Sequence, residues 1–180
     1  SGHEETAMRR EKFHNTEHGI DQHPRYFHDI PGYNFKTTEI QAALAVEQVK
    51  KADWIIGRRL ENVKYLNEGM ERFSDVLKLP TYNKDVSFLG YPFVIKDPSK
   101  ISRKKLREGL VTRGIETRPL FGSIPHHQPV YSYLRKAYEG KLPNAEYLGA
   151  HALYIGCHQY LTQDDLDYVV KAFGEILGKV

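Results

Sequence analysis

Between Thr37 and Phe73 the chain carries apolar residues at Ile40, Ala43, Leu44, Ala52, Ile55, Ile56, Leu60, Val63, Leu66, Met70 and Phe73, mostly at steps of three and four. Such a stripe belongs to an amphipathic helix, because residues three and four apart share one helical face. Thr37 or Thr38 is placed to cap it, and Glu39 puts a carboxylate at the positive end of the helix dipole. At 1.5 Å per residue the run would extend roughly 54 Å, beyond an ordinary globular helix. A bend or break is therefore expected, near Gly57. A helix of this length serves to connect two parts of a protein, leaving one domain and entering a smaller one.

The rest of the chain divides around that helix. Glu4 to Lys12 can form a short helix, and Phe13 to Pro31, polar and punctuated by Gly19, Pro24 and Pro31, reads as an ordered arm. After Pro80, Val86–Ile95 is a strand candidate that Pro92 assigns to an edge or a bulge. Ser102 can cap a helix through Leu106, Leu110 and Val111 that Gly114 ends. A second strand is expected over Ile115–Phe121, a loop over Gly122–Pro129, and short helices around Tyr131–Tyr138 and Ala145–His151. A strand at Leu153–Ile155 follows. The last helix starts at Thr162, carries Asp164 and Asp165 in its first turn, and buries Leu166, Val169, Val170, Phe173 and Leu177. This is an α/β pattern: a small sheet of a few strands covered by helices. It divides into an arm over residues 1–36, the connecting helix over 37–73, and a small α/β domain over 74–180.

Several function classes are excluded by composition. A 40% hydrophobic share allows a real core, and twelve Tyr and eight Phe favour aromatic-lined clefts. The net charge is only +3, and the basic pairs Arg9-Arg10, Lys50-Lys51, Arg58-Arg59 and Lys104-Lys105 are separated by acids and apolar residues. They read as solvated surface rather than a nucleic-acid face. No apolar run approaches the roughly 20 residues of a membrane span, and no signal peptide is visible. The lone Cys157 allows no internal disulfide and fits the reducing cytoplasm. The opening Ser1-Gly2, without an initiator Met, reads as the remnant of a cleaved tag on a truncated chain.

Two histidine groups invite chemistry. His14, His18, His23 and His28 could supply imidazoles to Zn²⁺, but Gly19 and Pro24 break the helix that would align them. No HExxH pattern is present, so a polar loop is expected there and no metal site. His126-His127 follows the strand candidate carrying Arg118, at a strand exit where α/β proteins bind ligands. Arg118 offers a bidentate fork for phosphate or carboxylate, and a neutral imidazole can meet a sugar hydroxyl. No GxSxG, P-loop or GxGxxG is present, so spacing alone names no reaction.

Gly32-Tyr33-Asn34-Phe35-Lys36-Thr37-Thr38-Glu39-Ile40-Gln41-Ala42-Ala43-Leu44 resembles the GYN…QAA signature of the DegT/DnrJ/StrS family. RRLENVKYLNEGM and LTQDDLDYVVKAF are similar to that family's long helix and last helix, so nearly the whole chain is covered. The resemblance implies the C-terminal small domain of a fold-type I pyridoxal 5'-phosphate enzyme, mostly nucleotide-sugar aminotransferases of cell-surface polysaccharide or deoxysugar biosynthesis. It also implies a homodimer in which Asn34 reaches the cofactor phosphate of the other subunit, with Tyr33 and Lys36 beside it. The Schiff-base lysine of the family precedes the GYN block. Glu4–Asn15 looks like the helix after it, which places that position before Ser1 and predicts a chain without catalysis of its own.

The family has two chemical branches. ETRPLFGSIPHHQPVY, LPNAEYLG and YIGCHQYLT look closer to the sugar 3-dehydratases, in which a histidine replaces the Schiff-base lysine. Amino transfer is nevertheless the first reading, since most members perform it, and 3-dehydration the alternative. Under either, Arg118, His126 and His127 are assigned to the nucleotide-sugar side of the pocket. A non-catalytic dimerisation or sugar-binding module is a further reading.

Overall fold

The computed structural model describes residues 37–121 and 124–178. Thr38 caps helix α1 (Glu39–Val49): its hydroxyl accepts from the Gln41 amide while the Gln41 side chain accepts from the Thr38 amide, so two orphan donors are satisfied reciprocally. The expected single long helix is two helices. Helix α2 spans Ala52–Met70, and the break falls at Lys50–Lys51 rather than near Gly57. Lys51 leaves the helical region at φ −103° and ψ 3°, and its amide bonds back to Gln48. The break falls at the only two consecutive lysines of the run, after α1 has left Val46 and Val49 exposed. Gly57 lies inside α2 and costs only helix propensity there.

A 3-10 turn at Glu71–Phe73 leads to β1 (Leu77–Lys78). The remaining elements are β2 (Gly90–Ile95), α3 (Arg103–Val111), β3 (Thr117–Pro119), α4 (Ser132–Tyr138), α5 (Pro143–His151), β4 (Ala152–Gly156) and α6 (Gln163–Leu177). Among the described residues these strands form one antiparallel sheet in the order β1-β2-β4-β3. The α/β class read from the sequence stands.

The first two of the three expected strands are shorter in the fold, while the third, expected over Leu153–Ile155, extends over Ala152–Gly156. Val86 to Leu89 precedes β2, with the Val86 amide turned back to Asn83 and Leu89 exposed. The Ile115 amide is spent on Leu110 at the end of α3, so pairing begins only at Thr117. Pro92 lies in an inner strand, yet β1 pairs only with Val94 and Ile95. At Pro92 the sheet therefore has a neighbour on one side alone, which is where a residue without an N–H is tolerated.

Register places Tyr91, Phe93 and Ile95 of β2 on one face with Leu153 and Ile155 of β4. All five are essentially fully buried. Helices α2, α3 and α6 complete that core with Val63, Leu66, Met70, Leu106, Leu110, Leu166 and Phe173. Phe173 meets Phe93 edge-on, with centroids 5.2 Å apart. Helix α6 begins as expected at Thr162, whose side chain accepts from Asp165 and whose amide donates to the Asp165 carboxylate. Ser102 caps α3, and Gly114 follows it at φ +76°, a conformation that favours glycine.

Candidate substrate cleft and histidine cluster

The opposite face of the sheet carries the row Pro92, Tyr154 and Arg118, aligned by register across β2, β4 and β3. Gly90 makes room for this row, because a Cβ there would lie 2.5 Å from the Tyr154 ring. Arg118 and Tyr154 line an open cleft of about 620 Å³, whose other wall is the start of α6 with Leu161, Asp165 and Tyr168. Gly156, which ends β4, and the following Cys157 and His158 also line it.

The groups around this cleft are held by specific contacts. Arg118 pairs with Glu116 at 3.1 Å in an exposed setting, where an ion pair contributes little to stability and leaves the guanidinium accessible to solvent. Hydrogen bonds from Thr162 hold the Asp165 carboxyl below its usual range. Burial pushes the Cys157 thiol up to about 11, so it remains protonated and unreactive near neutrality. Buried Asn62 of α2 donates to the carbonyls of Cys157 at 3.4 Å and His158 at 2.9 Å, fixing this stretch of the cleft's lining.

Arg118 and the two histidines do not share this cleft. His126 and His127 sit in a 3-10 turn, Pro125–His127, with their rings in contact at 4.2 Å. His126 is 2% exposed, with Nε2 3.3 Å from Glu146 Oε1 on α5, yet the orientation makes no hydrogen bond. The half-buried His127 has its pKa lowered, first by burial and then by the neighbouring His126. Glu146 was not foreseen from the sequence: twenty positions separate it from His126, and only the fold of α5 brings it there. Tyr33, Asn34 and Lys36 lie outside the described residues, as do His14, His18, His23, His28 and the arm through Pro31.

Residues 2–174 match the DegT/DnrJ/EryC1/StrS aminotransferase family. The chain belongs to that family. It is 32% identical over 156 residues to the lipopolysaccharide biosynthesis protein RfbH of Salmonella typhimurium, covering 86% of this chain and 36% of that protein. GDP-4-keto-6-deoxy-D-mannose 3-dehydratase of Escherichia coli O55:H7 is 34% identical over 143 residues, 78% of this chain and 36% of the enzyme. GDP-perosamine synthase of Escherichia coli O157:H7 is 31% identical, over 87% of this chain and 41% of the enzyme. The chain thus spans between about a third and two fifths of these DegT/DnrJ/EryC1/StrS relatives. In three dimensions it resembles the E. coli GDP-4-keto-6-deoxy-D-mannose-3-dehydratase solved with hydrated pyridoxal phosphate, at a TM-score of 0.62 and 29% identity. That match covers 79% of this chain and 37% of the enzyme.

For a family of this kind the described residues leave a specific gap. Every lysine among them is exposed, from Lys50 to Lys171. A lysine that forms a Schiff base is activated by desolvation or a neighbouring cation inside a pocket. Among the described residues no lysine has that shelter. No helix among them is long and apolar enough to cross a membrane.

Proposed function

We propose that this chain is the C-terminal portion of a pyridoxal-phosphate enzyme acting on a nucleotide-linked keto-deoxysugar, inactive without the rest of its protein. The observation that carries this reading is the match over residues 2–174 in a chain that spans only 36–41% of its relatives' length. In this reading residues 1–36 belong to the larger, cofactor-binding part, 37–73 connect, and 74–180 form the small domain. Asn34 reaches the cofactor phosphate of a partner subunit, with Tyr33 and Lys36 nearby. The apolar residues Ile40, Leu44 and Val49 of α1, all exposed here, support packing of that helix against further protein.

Arg118 is assigned to the anionic part of the nucleotide sugar, because its planar fork suits a diphosphate and it lines the open cleft. His127, half-buried, is the member of the histidine pair able to meet a sugar hydroxyl. His126 is too enclosed to do so and supports His127 instead.

The chemistry divides into two readings. Amino transfer is the first from the sequence, and similarity to GDP-perosamine synthase supports it. The 3-dehydration reading gains from the 34% match to a 3-dehydratase and from solved 3-dehydratases at 29–30% identity. We favour dehydration on that basis. The test is to incubate the full-length protein with GDP-4-keto-6-deoxymannose, pyridoxal phosphate and glutamate. A product that has lost the C3 hydroxyl supports dehydration, and one that has gained an amino group supports transfer. An unchanged sugar nucleotide with fully loaded enzyme contradicts both. Arg118→Ala should raise KM for the sugar nucleotide by roughly ten-fold or more, the loss expected from a charge-assisted hydrogen bond.

A further inference from the structure

We propose that His126, His127 and Glu146 form a binding site for a zinc-class divalent cation. One candidate ligand atom from each residue lies within 4.8 Å of the other two. Two ligands held 2.0–2.1 Å from one tetrahedral ion stand about 3.4 Å apart. The separation of His126 Nε2 from Glu146 Oε1 is 3.3 Å, so that pair already has the spacing of a shared ion. His127 needs only to close by a side-chain adjustment, and a fourth position stays open to water or a ligand hydroxyl.

The second observation is the state of His126. Its side chain is almost wholly buried, and Nε2 has no hydrogen-bond partner among the described residues. A buried nitrogen left unpaired is costly, whereas an ion beside the Glu146 carboxylate would use its lone pair. The cluster is also built for rigidity. Pro125 and Pro129 bracket the histidines, with His127 N–H donating to Ile124 at 3.0 Å and Gln128 N–H to Pro125 at 2.9 Å. Glu146 Oε1 accepts from the Gly140 amide at 3.0 Å, the kind of outer contact that orients a metal-binding carboxylate. Gly140 itself takes φ +71° to present that amide.

The ligand set defines the ion class. Two imidazoles and one carboxylate suit Zn²⁺, Co²⁺ or Ni²⁺, whereas Mg²⁺ and Ca²⁺ prefer all-oxygen shells. The bound ion would tie the turn at residues 125–131 to α5. The inference stands apart from the role of Arg118, which lies in a different cleft.

The test uses chelator-treated 180-residue chain titrated with Zn²⁺ and with Co²⁺, alongside Glu146→Gln, His127→Ala and a variant with His14, His18, His23 and His28 all changed to Ala. Expected is one saturable ion per chain, with the absorption of four-coordinate Co²⁺, in the wild type and the quadruple variant. Glu146→Gln keeps an acceptor for Gly140 and should still bind at least about a hundredfold more weakly, more than the loss of an outer-shell contact causes. Zn²⁺ should raise the Tm of the wild type and not of Glu146→Gln, a readout that remains if His127→Ala fails to fold. No saturable uptake, uptake unchanged by Glu146→Gln, or uptake lost only in the quadruple variant would each overturn the proposal.

Discussion

Gly57 and Gly90 show how one residue type does opposite work. In α2, a Cβ at Gly57 would meet nothing within 4 Å, so the glycine gives only backbone freedom to the unfolded chain. Gly57→Ala should stabilise the fold by about 0.5–1 kcal/mol. In β2, a Cβ at Gly90 would lie 2.5 Å from Tyr154 Cδ2 and 2.9 Å from the Ile155 carbonyl. Gly90→Ala should destabilise by about 1–3 kcal/mol, since backbone cannot retreat as a side-chain tip can. Urea denaturation of both variants checks the pair, and equal shifts of one sign would refute the assignment. Cys157 belongs to the same scale. With its thiol held near 11 by burial, it should resist a thiol reagent at pH 8 in the folded chain and react promptly once denatured. Rapid labelling of native protein would contradict that burial.

Among the elements, α1 stands apart from α2 and α6. It has a capping box but buries no residue, whereas α2 buries Asn62, Val63, Leu66 and Met70. A helix of eleven residues without tertiary packing is marginal in water. Amide hydrogen exchange should therefore be fast throughout α1 and slow across Val63–Met70, with protection of α1 appearing when the rest of the protein is supplied. Uniform protection of both helices in the chain alone would be the contrary result. The elements also show what a sequence makes legible. The starts of α3 and α6 were readable because Ser102 and Thr162 cap through contacts three residues away. Strand β1 was not, since Leu77 and Lys78 are held only by pairing with Ile95 and Val94. The break at Lys50–Lys51 was not legible, because Val46 and Val49 continue the apolar pattern up to it and Gly57 is the stronger local helix breaker. The strand position of Arg118 was legible from its neighbours, while Glu146 has no local mark tying it to His126. Asn62 was hidden likewise, for its two acceptors lie 95 and 96 positions away.

For the whole molecule, histidine ionisation sets the acid limit of stability. Burial lowers the pKa of His127 and of His151, with smaller lowering effects from the adjacent His126 and Arg103 respectively. Below the ordinary imidazole value of about 6.5, the unfolded chain takes up protons that the folded chain refuses. Stability should thus be fully present above that pH and fall as pH drops through the lower folded values. A further loss is expected below about pH 4, where Asp97 and Asp165, lowered by Ser99 and Thr162, become protonated. Tm measured across this range in metal-free buffer checks the direction, and a flat profile between pH 7 and about pH 5 would contradict it.

In the proposed function, these residues form one part of a pyridoxal-phosphate enzyme whose cofactor is held by the remainder of the protein. Spectroscopic titration of pyridoxal phosphate into the 180-residue chain and into the full-length protein, side by side, tests it most directly. The expected result is a saturable protein-bound chromophore in the full-length protein, weakened by Asn34→Ala, and none in the chain alone. A stoichiometric chromophore on the chain alone, or none on the full-length protein, would contradict the account.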